Sequence, residues 1–74
     1  MGRAQTLLDS DPQQALQIAE RVTRSGRVPG AYAVATRAAC RLGDQSKAQA
    51  WFQQVPDKRK RWVRGDCLRH GVSL

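Results

Sequence analysis

The sequence predicts an all-α chain built from antiparallel helical hairpins, and three observations carry that prediction. Apolar residues recur at spacings of three and four, and no run alternates with the period of two that a half-buried strand needs. Helix signals alternate along the chain, with starts at Asp11-Pro12, Pro29, Asp44 and Asp57 and stops at Gly26, Gly43, Pro56 and Gly71. The implied loops are a few residues long, which sets consecutive helices antiparallel.

Taken in order, a short first helix fits residues 3–9, with Leu7 and Leu8 as apolar anchors. A second, over 12–25, starts with a carboxylate cap at Asp11, proline at the first helical position and Gln14 as capping-box partner. Its inner face is Ala15, Leu16, Ile18, Ala19 and Val22, Gly26 closes it in a left-handed conformation, and Arg21 and Arg24 complement its dipole. The third helix, over 30–42, carries Tyr32, Ala35, Ala38, Ala39 and Leu42 and stops at Gly43. Asp44 caps a fourth, over 45–54, that buries Ala48, Trp51 or Phe52, and Val55 before Pro56 ends it. Asp57 caps a fifth, over 58–70, which stops at Gly71 with Val72 folding back onto Cys67.

Seventy-four residues make a single domain near the size at which one core is marginal, so a piece of a larger protein is expected. No apolar run approaches the ~18–20 residues of a membrane span, and the first residues lack the build of a signal peptide. A cytoplasmic location follows as the expectation, with Cys40 and Cys67 reduced and serving mainly as packing residues. The net charge of +7 steers the domain toward anionic surfaces, whether nucleic acid, acidic protein or lipid headgroup.

Internal repetition agrees with the hairpins: Asp11-x3-Ala15-x3-Ala19-x2-Val22 superposes on Asp44-x3-Ala48-x3-Phe52-x2-Val55 at an offset of 33 residues. With Tyr32, Gly43-Asp44, Ala48 and Phe52 placed as they are, residues 4–56 resemble the tetratricopeptide repeat (TPR) family. Ala35, Thr36 and Ala39 depart from that pattern, where the family has Leu, Gly or Ala, and Tyr, and the closing proline is displaced to Pro56. Asp-Pro-x2-Ala-Leu, Ala-x-Arg-Ala-Ala-Cys-Arg-Leu-Gly-Asp and an Arg-rich helix ending Cys-x3-Gly-Val-x-Leu are also similar to the C-terminal tails of some bacterial serine/threonine protein kinases. The resemblance implies an accessory or regulatory TPR-like module whose last helix caps the repeat, without the kinase motifs, none of which is in this sequence.

The resemblance also implies a groove lined by Ala33, Arg37, Cys40 and Arg41. Arg37 and Arg41 are four residues apart on one helix face, a spacing that lets two guanidiniums address one carboxylate; a solvated arginine pair is the plainer reading. Lys58-Arg-Lys-Arg-Trp-Val-Arg64 is the densest basic run, and helical geometry turns Lys58, Arg61 and Arg69 to one side while Trp62 and Val63 face inward with Cys67. That helix, including Arg64, reads as the solvated face of a cap, as a surface for an acidic partner, or as a nucleic-acid patch.

Catalysis has little support: Asp9, Asp11, Asp44 and Asp57 sit at cap or loop positions, and Glu20 and Asp66 read as surface partners of Arg24 and His70. Cys40, Cys67 and His70 fall short of the four ligands of a closed zinc site, so no metal or cofactor is expected. The expected function is non-catalytic protein–protein interaction with an acidic or extended peptide segment. Nucleic-acid binding and homo-oligomerisation are the alternatives.

Overall fold

The structure is a computed structural model that describes residues 8–26 and 28–74. Its regular structure is helical throughout, with no strand among the described residues: residues 8–10 (α1), Pro12–Ser25 (α2), Pro29–Arg41 (α3), Gln45–Phe52 (α4) and Asp57–Arg69 (α5). Most of the helix predicted over 3–9, Leu7 included, lies outside the described residues; Leu8 is buried against α2 and α3.

Local chemistry accounts for most of the boundaries. The Asp11 carboxylate accepts a hydrogen bond from the Gln14 amide at 3.2 Å, and Asp44 accepts from the Lys47 amide at 3.1 Å, so each satisfies one orphan donor of its helix. Replacing Asp44 by Ala is expected to cost about 1 kcal/mol, read in a thermal melt as a drop of roughly 4–8 °C; an unchanged melting temperature would remove the cap from the account. Gly43 at φ 74° and Gly71 at φ 79° close α3 and α5. The amides of Asp44 and Val72 reach back to the carbonyls of Ala39 and Cys67, both at 3.0 Å, the Schellman arrangement expected for the last helix.

Other ends differ from expectation. Gly26 is extended, with φ 173°, and α2 finishes with the Ser25 hydroxyl bonded to the carbonyls of Arg21 and Val22. Asp57 is the first residue of α5 rather than its cap. Pro56, with ψ 145°, presents its carbonyl to the amides of Arg59 and Lys60, and Asp57 is left in the first turn, where its charge meets the helix dipole. α4 stops at Phe52 because the amides of Gln54 and Val55 tighten onto the carbonyls of Trp51 and Phe52 ahead of Pro56.

α3 is the hub on which α2, α4 and α5 pack. One side, with Val34, Ala35 and Ala38, meets Leu8, Ala15, Leu16 and Ala19; the other, with Ala33, Ala39 and Cys40, meets Ala48, Phe52, Val55, Val63, Cys67 and Val72. A helix covered on several sides needs apolar or small residues almost all round, which is the physical reason for its alanines and for Thr36, whose buried hydroxyl donates to the Tyr32 carbonyl at 2.8 Å. Two side chains expected inside lie toward solvent: Leu42 at the end of α3 is 42% exposed and Trp62 is 54% exposed. Phe52 takes the buried place beneath α4, and Trp51 is half-buried.

Cys40 and Cys67 form a disulfide between α3 and α5 with their Cα atoms 5.2 Å apart. The expectation of two reduced cysteines is therefore corrected. Seating Val63 and Cys67 on α3 puts Cys67 opposite Cys40, inside the ~4.4–6.8 Å at which two cysteines bridge. That register depends on the tertiary packing of two helices and is absent from the linear spacing.

Candidate functional site

The helical periodicity of α5 sorts its residues into two faces. Val63 and Cys67, four apart, are fully buried against α3, and Asp66 beside them is only 8% exposed. Lys58, Arg61, Trp62, Gly65, Leu68 and Arg69 face solvent.

On the inner side, Asp66 is the acceptor for both arginines assigned to a groove. Arg41 Nη1 and Nη2 donate to its two carboxylate oxygens at 2.7 and 3.4 Å, and Arg37 Nε donates to Oδ2 at 3.0 Å. Arg41 also donates from Nε to Asp9 at 2.9 Å, bringing the N-terminal segment into the same network. Burial alone would raise the Asp66 carboxyl, but the hydrogen bonds and charges of Arg41 and Arg37 outweigh it and hold the group below its ordinary range. Burial likewise works against the Arg41 cation, and Asp66 and Asp9 more than compensate, raising it. Asp66 is thus a buried tether rather than a surface partner of His70, because it sits on the α5 face turned to the arginine pair.

The two predicted surfaces fare differently. Arg37 and Arg41 have side chains only 16% and 10% exposed and are occupied by Asp66, while Cys40 is 1% exposed and tied to Cys67; Ala33 is buried as well. Arg37 and Arg41 are turned to Asp66, Cys40 to Cys67, and Ala33 packs in the core cluster with Val63 and Cys67, so these residues are taken up by the contact with α5. The disulfide also commits both sulfurs weighed as metal ligands, and His70 stands exposed at the end of α5. On the basic helix, Lys58, Arg61, Arg64 and Arg69 are all exposed with no ion pair among the described residues; Arg64 also lies 5.3 Å from the Phe52 ring centre, with Lys60 at 5.6 Å.

Every acidic residue of the chain has an internal role. Asp11 and Asp44 cap helices, Asp9 and Asp66 hold arginines, Asp57 pairs with Lys60 at 3.5 Å, and Glu20 pairs with Lys47 at 3.4 Å and accepts from Trp51 Nε1 at 3.1 Å. Glu20 therefore serves α4, not Arg24 as expected. Lys58, Arg61 and Arg69 have no ion pair among the described residues, so α5 presents cations in a form an anionic partner can reach.

Trp62, expected to face inward, stands at the surface. The inner face set by Val63 and Cys67 leaves Trp62 beside Asp66, where the Arg37 guanidinium carbon lies 4.4 Å from its ring centre. Asp66 orients Arg37, and Arg37 supports one face of the indole. The hint in the sequence is helical spacing: Val63 and Cys67, four apart, set the inner face, and Trp62 lies about 100° round the helix from Val63 on the side away from Cys67.

Away from α5, an open cleft of about 330 Å³ lies between Thr23 and Arg24 of α2, Tyr32 of α3, and Ala50, Trp51 and Gln54 near α4. The Tyr32 and Trp51 rings are 6.0 Å apart and tilted by 31°. The Thr23 hydroxyl is spent on the Glu20 carbonyl at 2.7 Å, so the lining offers an apolar shelf with one cation, Arg24. No described helix is long and apolar enough to cross a membrane. The chain matches no protein-family model, no curated protein and no solved structure.

Proposed function

We propose that this domain is a non-catalytic interaction module that captures an acidic protein segment on the outward face of α5. The observation that carries the reading is the division of charge: the chain's acids are spent internally, while Lys58, Arg61 and Arg69 line an exposed helix face with Trp62. This moves the partner-binding role from Arg37, Cys40 and Arg41, which join α3 to α5, to the cationic helix. The TPR-like reading, and a place as an accessory unit of a bacterial signalling protein, belong to the same proposal. Their support is the Asp-capped pair of α2 and α4 at the 33-residue offset, each burying an alanine one turn after its cap. A lasting Cys40–Cys67 bond favours an oxidising compartment over the cytoplasm.

The test is a triple reversal, Lys58→Glu, Arg61→Glu and Arg69→Glu, read as binding of a fluorescent polyglutamate peptide at low salt. The reversal is expected to weaken binding by about tenfold or more with helicity unchanged. Raising the salt should weaken the parent in the same direction, because these charges are exposed. Binding that survives the triple reversal, or that is shared equally with an Arg21→Glu and Arg24→Glu control on α2, moves the site off α5.

A further inference from the structure

Gly65 sits in the middle of α5, on its solvent face, with nothing within 4 Å of the position a side chain would take. Glycine is the poorest helix former after proline, and here no turn, positive φ or neighbouring helix requires it. Three residues to either side stand Trp62 and Leu68, which are 54% and 62% exposed. Residues three apart lie on adjacent turns of one helix face, so the two apolar side chains wall a notch whose floor is bare backbone. Arg61, Arg69 and Lys58 border it. One wall is fixed in advance, because the indole of Trp62 rests on Arg37, which Asp66 holds.

We infer that this notch, formed by Trp62, Gly65 and Leu68, is the seat of a partner's acidic amphipathic α-helix. The inference rests on the interaction role proposed above and names its partner. A missing side chain between two ridges is what lets a second helix approach closely and set a ridge into the groove. An indole held in place is a low-entropy anchor for apolar residues of the incoming helix. The surrounding cations select acidic residues on its flanks. A second copy of this chain does not suit the notch: each copy carries +7, and its acids are already paired or capping. Trp62 and Leu68 alone supply too small an apolar area for a membrane surface, where a broad apolar face is needed.

The test compares a designed acidic amphipathic peptide, locked as a helix by a side-chain staple, with a scrambled peptide of the same composition. Each is titrated against the disulfide-bonded parent and a Gly65→Gln variant by fluorescence anisotropy. Glutamine fills the notch without changing charge and is the better helix former, so the variant should melt no lower than the parent. The parent should bind the stapled helix at least tenfold tighter than the scrambled peptide, and Gly65→Gln should erase that preference while leaving the weaker, charge-driven binding intact. Equal binding of the two peptides by the parent, or an unchanged preference in Gly65→Gln, overturns the notch but leaves capture of acidic segments standing. Failure of both peptides to bind, or tighter binding of a duplex oligonucleotide or an anionic lipid vesicle than of either, overturns both.

Discussion

Reducing the Cys40–Cys67 bond is expected to lower the melting temperature by roughly 12–32 °C. The bond closes a loop with a sequence separation of 27, and restricting the unfolded chain over that length contributes about 3–4 kcal/mol. For a domain of this size each kcal/mol is worth about 4–8 °C. The loss is proportionally large because eight of the seventeen buried apolar residues among those described are alanines, which transfer little surface from water while letting the helices pack closely. Thermal melts with and without a phosphine reductant, together with the Cys40→Ala, Cys67→Ala double variant, make the measurement. The reduced protein should stay helical at low temperature, because the Asp66 network and the Val63 contacts still hold α5 to α3. Two titratable thiols in the purified protein, or a shift below about 5 °C, would falsify the staple.

What the sequence made legible was local. Asp11 and Asp44 as caps, Gly43 and Gly71 as left-handed stops, and Ala48, Val63 and Cys67 as inner positions follow from chemistry within one or two helical turns. The connections between helices were not legible in the same way. The spacing of Arg37 and Arg41 lets them address one carboxylate or stand as a solvated pair, and it does not say that the carboxylate comes from inside the molecule, since Asp66 is 25 residues from Arg41 along the chain. The disulfide and the outward turn of Trp62 follow from the same α3–α5 register. Of the predicted partner surfaces, the arginine pair belongs to the packing, and the cationic helix keeps Lys58, Arg61, Arg64 and Arg69 at the surface. Gly65 carries no signal in the sequence, because a mid-helix glycine is informative only where its side of the helix is open.

Replacing Asp66 by Ala is expected to cost roughly 3 kcal/mol, the low end of what removing one partner of a buried ion pair costs. The effect exceeds that of an ordinary surface bridge because the carboxylate is 9% exposed and both guanidiniums are largely covered, so its loss strands two cations against each other in the α3–α5 interface. Urea denaturation of the oxidised protein gives the magnitude, and a loss below about 1 kcal/mol would place this network with solvent-exposed pairs. Trp62 supplies an independent reading: with Arg37 released from Asp66, the indole loses its support and its emission should shift to the red. Acid should expose the same linkage. The folded Asp66 carboxyl titrates below its ordinary 3.8, so as pH falls the unfolded chain takes up that proton first. The stabilisation is therefore complete above the ordinary carboxylate range and drains away as pH drops from about 4 through the folded value. Asp66→Asn removes the titrating group while keeping its shape, and its stability should fall less steeply over that interval than the parent's. Equal acid slopes in the two proteins would show that the proton enters elsewhere, and that Asp66 is not what joins the cationic helix to the core.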